Sequence, residues 1–403
     1  MSPESSPAAL PNRFLNLLAS RPWLLADGAT GSNLFDVGLL SGDAPELWNI
    51  DHPERITALH QSFVEAGADI ILTNSFGGTS YRLKLHQAQS RVAELNHSAA
   101  RLARQVADRS GREVAVAGSM GPTGEIMEPI GPLSFDLARQ AFAEQARSLA
   151  DGGVDVLWLE TMSSKEEVEA AVAGAATVGL PIVCTLSFDT NGRTMMGISP
   201  SDFAGLEKTF TPRLAACGTN CGTGASELVA CIHNLAEAMG PEVVLVAKGN
   251  CGIPQYVDGA ICYNGTPELM ALYAKMALDA GARIIGGCCG TSAKHLRAMR
   301  DALDAHTPGA SPELQTIISQ LGEVSTGARA QWAGEQSRLG GAAPGAVLSR
   351  SSRRRPAAGP AALWVARRSR SKPTWPGMQS SHRARLRSRP YAPGQVTRTS
   401  STG

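Results

Sequence analysis

No stretch of 18 or more uninterrupted apolar residues occurs anywhere in the 403 residues, so no membrane-spanning helix is expected. The opening segment, "MSPESSPAALPNRFLNLLASRPWLLADG", is broken by proline and arginine and lacks a small-residue cleavage site. A cytoplasmic, unprocessed chain is therefore expected. Cysteine is sparse: eight residues, Cys184, Cys217, Cys221, Cys231, Cys251, Cys262, Cys288 and Cys289, are spread over a long chain. That spacing argues against a disulfide framework and leaves metal or thiol chemistry. Acidic residues are missing altogether from 336–403, which holds 14 basic residues, whereas residues 1–335 hold 23 basic against 36 acidic. The near-neutral total hides two segments of opposite character.

What is present, within residues 20–305, is an alternation of short apolar runs with helix-period segments. Eight runs end in glycine-rich or polar turns: "WLLADGATGS", "ADIILTNSFGG", "VAVAGSMGPTG", "VDVLWLETMS", "IVCTLSFDT", "LAACGTNCG", "VVLVAKGNCGIP" and "ARIIGGCCGT". This pattern predicts an α/β protein, a (β/α)8 TIM barrel, a fold that usually takes ~250 residues. A doubly wound open sheet is the alternative, but its first turn would carry GxGxxG and "DGATGS" does not. The expected organisation is a lead-in over 1–19, the barrel over 20–305, one extra helix within 306–325, and a disordered basic C-terminal tail over 326–403. The tail, rich in Arg, Pro, Gly and Ser, can be read as a nucleic-acid arm or, more plainly, as a nonspecific tail.

Parallel barrel strands end on one face, so the side chains at the eight strand ends are the candidates for a shared site. Cys221 ends the sixth run and Cys288 and Cys289 end the eighth. Neighbouring residues of a regular strand point to opposite faces, so both vicinal sulfurs reach one point only where the strand breaks, as Gly286, Gly287 and Gly290 permit. Cys217 lies four residues, roughly 13 Å of extended chain, behind Cys221 and belongs to the core. Three thiols without a histidine suggest Zn2+, with a fourth position open to substrate. Cys251 could close the set as a fourth ligand, although the mouth of a barrel is a poor place for a closed structural site. Inert thiols or a vicinal disulfide are the competing readings. A zinc trithiolate is a weak Lewis acid, which argues against a zinc hydrolase and for activation of a substrate thiol, otherwise only a few per cent ionised at neutral pH.

The motifs "DGATGS", "TNSFGG", "GSMGPTG", "LET", "NCG" and "GGCCGT", in this order over about residues 20–305, resemble the homocysteine S-methyltransferase family. The resemblance extends to betaine–homocysteine S-methyltransferase and to the homocysteine-binding module of cobalamin-dependent methionine synthase. It implies a zinc-dependent barrel that methylates homocysteine in methionine biosynthesis, with Cys221, Cys288 and Cys289 as the zinc ligands. It further implies that Asp27 and Glu160 hold the homocysteine amino group. Asn74 and Asn220 are expected beside the substrate, chiefly shaping the turns there, and Asp189 is expected to fix a turn with Asn191 and Gly192. No protein group is expected as a catalytic base, since the thiol proton is released on metal binding, and none of the eight histidines falls at a strand end.

Methylfolate-dependent relatives carry folate- and cobalamin-binding modules after the barrel, and the tail is too short and polar for either. A small methyl donor is therefore expected. Glycine betaine is favoured, with Trp48, Phe76 and Tyr81 as candidate aromatic faces for its quaternary ammonium. S-methylmethionine, S-adenosylmethionine or a separate methylcorrinoid protein are the alternatives. The expected partners are homocysteine and the donor, with no membrane and no nucleic acid, and a homo-oligomer is compatible with this reading. Deleting residues 336–403 should leave methyl transfer intact; loss of turnover in the truncated chain, measured beside the full chain, would give the tail a function.

Overall fold

The structure, a computed structural model, describes residues 12–257 and 260–335. Eight parallel strands form one sheet: β1 (Leu24–Leu25), β2 (Ile70–Leu72), β3 (Ala115–Met120), β4 (Val156–Met162), β5 (Ile182–Leu186), β6 (Ala216–Cys221), β7 (Leu245–Gly249) and, after an inserted hairpin of β8 (Pro254–Val257) and β9 (Ala260–Tyr263), β10 (Ala282–Gly287). Hydrogen-bonded neighbours run β1-β10-β7-β6-β5-β4-β3-β2. A parallel bridge between Ala26 and Ile70, with the Asp69 N–H donating to the Leu25 carbonyl at 2.6 Å, joins β1 to β2 and brings the sheet to a nearly closed ring. This is the expected (β/α)8 barrel. Each strand end is followed by a helix on the outside, from Pro53–Glu65 after β1 to Ala293–Asp304 after β10. The two-stranded hairpin was not anticipated, although Asp258 and Gly259 between two strand-like stretches are a hairpin signal.

The strands read as continuous apolar runs because both faces are covered, inside by side chains of the barrel and outside by helices. Helix starts follow local chemistry: Ser134, Ser164, Ser199 and Thr266 each accept a hydrogen bond from a backbone N–H of the first turn. Among the described residues no helix is long and apolar enough to cross a membrane.

Two expectations change at the ends. The lead-in contains a helix, Arg13–Ser20, whose Phe14 and Leu17 are fully buried in one cluster with Leu24, Ile70, Trp158 and Ile284, so it plugs the barrel interior and belongs to it. The boundary set at 326 is also corrected. The extra helix runs Leu314–Leu321, and a second helix, Thr326–Trp332, occupies the start of the expected tail. Ser325 caps it, Glu227 accepts hydrogen bonds from both the N–H and the hydroxyl of Ser325, Asn191 accepts from the Gly327 N–H, and Trp332 stacks on His233 at 3.6 Å. Those partners lie about a hundred residues away in sequence, so local composition cannot reveal them. Residues 336–403, the remainder of the expected tail, lie outside the described residues.

Under the barrel, at the entry to β2, the buried Asp69 accepts from Arg21 at 2.5 Å, Arg300 at 3.2 Å, Arg112 at 3.3 Å and the Leu25 N–H at 2.9 Å. Three arginines from separate elements thus converge on one carboxylate. Asp69→Asn should cost about 3 kcal/mol, because it leaves partly buried guanidinium groups without their counter-charge. Urea unfolding of the two proteins checks this, and a difference within error would mean solvent satisfies the arginines unaided.

Candidate active site

β6 ends at Cys221, which takes a left-handed conformation (φ +60°) and is followed by Gly222 in the same region. β10 ends at Gly287, one residue before the vicinal pair; a side chain at Gly287 would meet Thr291 at 2.3 Å, so the close return of the chain needs glycine there. Beyond the strands, the Cys288 N–H donates to the Gly249 carbonyl at 2.7 Å and the Cys289 N–H to Asn250 Oδ1 at 3.1 Å. The Cys251 N–H donates to the Cys289 carbonyl at 2.8 Å. The turn carrying both thiols is therefore pinned through its backbone, by two main-chain partners and the Asn250 side chain.

The sulfurs of Cys221, Cys288 and Cys289 all lie within 4.8 Å of one another, with Cys221 3.0 Å from Cys288 and 3.9 Å from Cys289. Tetrahedral zinc with ~2.3 Å bonds sets thiolates about 3.8 Å apart, so the Cys221–Cys289 edge already fits and the Cys221–Cys288 edge needs only sub-ångström opening to take the ion. Hydrogen bonds from Cys221 and Cys288 hold the Cys289 thiol well below its ordinary pKa, whereas contacts with its two neighbours and burial hold Cys221 well above. One thiolate among shared protons is a set that a dication would complete by displacing those protons. Among the described residues this is the one cluster of metal-ligating side chains. Cys251 is not part of it: its thiol is buried and burial pushes it up to about 11. Cys217 lies in the core, 3.4 Å from Met239 Sδ.

A cavity of about 410 Å3 opens above the sulfurs. Glu160, at the end of β4, lines it, is almost fully buried and accepts a hydrogen bond from the Ser119 hydroxyl. Burial pushes its carboxyl up to about 7, with Lys248 opposing and Cys288 adding to the rise. Asp27 is differently engaged. Its Oδ1 accepts from Lys248 Nζ at 2.6 Å and its Oδ2 from the Leu72 N–H at 2.7 Å, and it does not line the cavity. Lys248, on β7, does; sequence reading passed it over, although a lone lysine within the apolar run "VVLVAKG" was a visible signal. Its ammonium stays charged because Asp27 and Glu160 outweigh the effect of burial.

Both asparagines serve the turns. Asn74 donates to the Pro45 carbonyl and to Asn49, tying the end of β2 to the loop after β1, and its residue also lines the cavity. Asn220 accepts from the Thr161 N–H and the Thr185 hydroxyl and donates to Thr161, which has a φ of +61°; its amide also lies 3.9 Å from Cys288 Sγ. Of the three aromatic candidates only Phe76 lines the cavity. Trp48 is buried, with Arg55 over its ring at 4.7 Å and His52 against its edge, and Tyr81 packs on the core. A tyrosine not anticipated, Tyr263 at the end of β9, lines the cavity and donates a hydrogen bond to Cys289.

The family model described as Homocysteine S-methyltransferase matches residues 24–303. Methionine synthase of Mycobacterium tuberculosis is 29% identical over 306 residues, covering 72% of this chain and 25% of that protein. Methionine synthase of Mycobacterium leprae is 28% identical over 329 residues, covering 78% of this chain and 27% of the relative. The chain thus spans about a quarter of the length of the curated relatives it matches. Among solved structures, the homocysteine methyltransferase MmuM from Escherichia coli in its oxidized form superimposes with a TM-score of 0.60 at 25% identity, covering 72% of this chain and 99% of that one. Its metallated form gives a TM-score of 0.60 at 24% identity with the same coverage.

The Glu160 carboxyl generates a pH prediction for the metal-free chain. A folded-state value near 7 against an ordinary 4.5 means the folded protein holds this proton more tightly than the unfolded chain does. The resulting stability is complete below about 4.5 and is lost as pH rises through 7, by about 3 kcal/mol. Urea unfolding at pH 5 and pH 8 should show this loss in the natural chain and a correspondingly smaller one in Glu160→Gln.

Proposed function

The chain belongs to the homocysteine S-methyltransferase family, and from that premise we propose that it methylates homocysteine to methionine at the three-sulfur site, using a small onium ion as donor. The observation that carries this reading is the convergence of Cys221, Cys288 and Cys289 at the base of a cavity that also presents the carboxylate of Glu160. Zinc held by the three cysteines would supply the positive charge that lets the acceptor sulfur react as a thiolate near neutral pH.

The chain's own groups do the positioning. Glu160 takes the α-ammonium of homocysteine, and the arriving cation favours the ionised carboxylate that burial alone disfavours. Asp27 contributes behind it by fixing Lys248. Asn220 holds the Thr161 turn that follows Glu160 and lies against Cys288, so the amine anchor and the sulfur centre are tied to one side chain. On the donor side the Phe76 ring shares the cavity with Glu46, whose Oε1 accepts from the Gly77 N–H at 2.6 Å. An aromatic face beside buried carboxylate suits a methyl-bearing cation. We assign glycine betaine as the first donor to test; S-methylmethionine and S-adenosylmethionine carry the same kind of charge. In the transfer the homocysteine sulfur forms its bond to the methyl carbon as the donor's C–N or C–S bond breaks. The electron pair leaves with the donor, so no protein base is required.

The test is methionine formation by the purified, zinc-loaded chain given homocysteine with betaine, S-methylmethionine, S-adenosylmethionine or methylcobalamin in parallel. Turnover with one onium donor is expected; turnover with methylcobalamin alone, or with none of them in protein holding one zinc, would overturn the donor assignment. Cys289→Ala should lose its zinc and about 100-fold or more in turnover. A variant with full zinc content by elemental analysis would remove Cys289 from the ligand set.

A further inference from the structure

Lys248 is an ammonium group in the middle of the barrel, with its side chain 2% exposed. An ammonium offers three N–H donors. The structure gives Lys248 Nζ two acceptors, both on Asp27: Oδ1 at 2.6 Å and the backbone carbonyl at 3.3 Å. Its approach to the Trp158 ring, 5.9 Å to the centroid, lies at the outer limit of a cation–π contact. One donor of a buried cation therefore has no protein acceptor among the described residues, and the residue carrying it lines the cavity together with Glu160 and Cys288. Leaving such a donor unmatched is costly in a place water reaches poorly, and an anionic ligand atom is what would match it.

The size and sign of that ligand follow from the neighbours. Glu160 and Lys248 face the same cavity and lie close enough for each to shift the other's protonation. A carboxylate and an ammonium side by side are complementary to a zwitterion whose own ammonium and carboxylate share one carbon, which is an α-amino acid. We propose that Lys248 binds the α-carboxylate of the acceptor and thereby makes the site selective for an amino-acid thiol over a simple one. The assignment rests on homocysteine as the acceptor proposed above. Asp27 then has a defined part: with its second oxygen fixed by the Leu72 N–H, it holds the ammonium in place before the substrate arrives, so little ordering is left for binding to supply.

The test separates this role from that of a mere counter-ion to Asp27. Dissociation constants for homocysteine and for 3-aminopropane-1-thiol, the same molecule without its carboxylate, are measured by calorimetry on the full-length, zinc-loaded chain. The natural chain should prefer homocysteine by about tenfold or more, the worth of a charge-assisted hydrogen bond in a buried site. In Lys248→Met the preference should shrink to about twofold or less. Because that change strands the Asp27 carboxylate, the double variant Asp27→Asn with Lys248→Met, which keeps an acceptor for the Leu72 N–H, is measured beside it. Equal binding of the two thiols by the natural chain, or an undiminished preference in either variant even where both thiols weaken together, would overturn the assignment. A natural chain that binds the aminothiol but not homocysteine overturns it as well, and one that binds neither thiol overturns the acceptor reading itself.

Discussion

Where β7 and β10 end, the hydrogen bonding between them continues: the Cys288 N–H reaches the Gly249 carbonyl, Asn250 accepts from the Cys289 N–H, and the Cys251 N–H returns to the Cys289 carbonyl. This extension holds the chain in register for two residues after it has left strand geometry. Those are the two residues that bear the vicinal thiols. A strand would have sent their sulfurs to opposite faces, and an unsupported loop would have let them wander; the pinned turn allows both to meet Cys221. Cys221 reaches the same point by a left-handed residue at the end of β6, a conformation that costs a non-glycine residue energy and that the flanking Gly222 accommodates.

The two ends of the barrel manage charge in opposite ways. Below, one carboxylate, Asp69, gathers three arginines and a backbone N–H, and every charge has a protein partner. Above, Lys248 is the cation paired with Asp27, beside Glu160 and the sulfurs. Such an excess of buried negative potential is unfavourable by itself and would be relieved by the cations proposed for this site, a metal at the thiols and a substrate ammonium at Glu160. The first arrangement makes the barrel stable, while the second makes it receptive. This division is what the (β/α)8 fold favours, since the loops that can vary lie at the carboxyl ends of the strands.

Much of this was legible in the residues. Strand and helix periods marked the eight units, and glycines beside Cys288 and Cys289 marked a broken strand end. Glu160 stood out because a carboxylate closes the apolar run "VLWL". The aromatic residues proved less readable. Trp48 opens the short helix Trp48–Asp51, Phe76 lies in the turn after β2 and Tyr81 sits in the helix Ser80–Leu83. Such side chains turn inward or outward according to what else fills the space, and Arg55 covers the ring of Trp48 while His52 meets its edge. Asn74 likewise spends its amide on the neighbouring loop. Lys248 was passed over because a single lysine in an apolar run has no partner in its own stretch of sequence; Asp27, 221 positions earlier, supplies it.

Sequence by itself therefore determined the barrel and which residues stand at its rim, because periodicity and strand-end chemistry are local properties and parallel strands deliver their ends to one face. Tertiary structure alone decided which of the rim residues touch. The sulfur triangle, the Asp27–Lys248 pair, the burial of Trp48 and the docking of Thr326–Trp332 all depend on contacts between elements remote in the chain. Such contacts are set by how helices and loops pack around the ring of strands, and that packing is a property of the whole molecule that no single stretch of residues encodes.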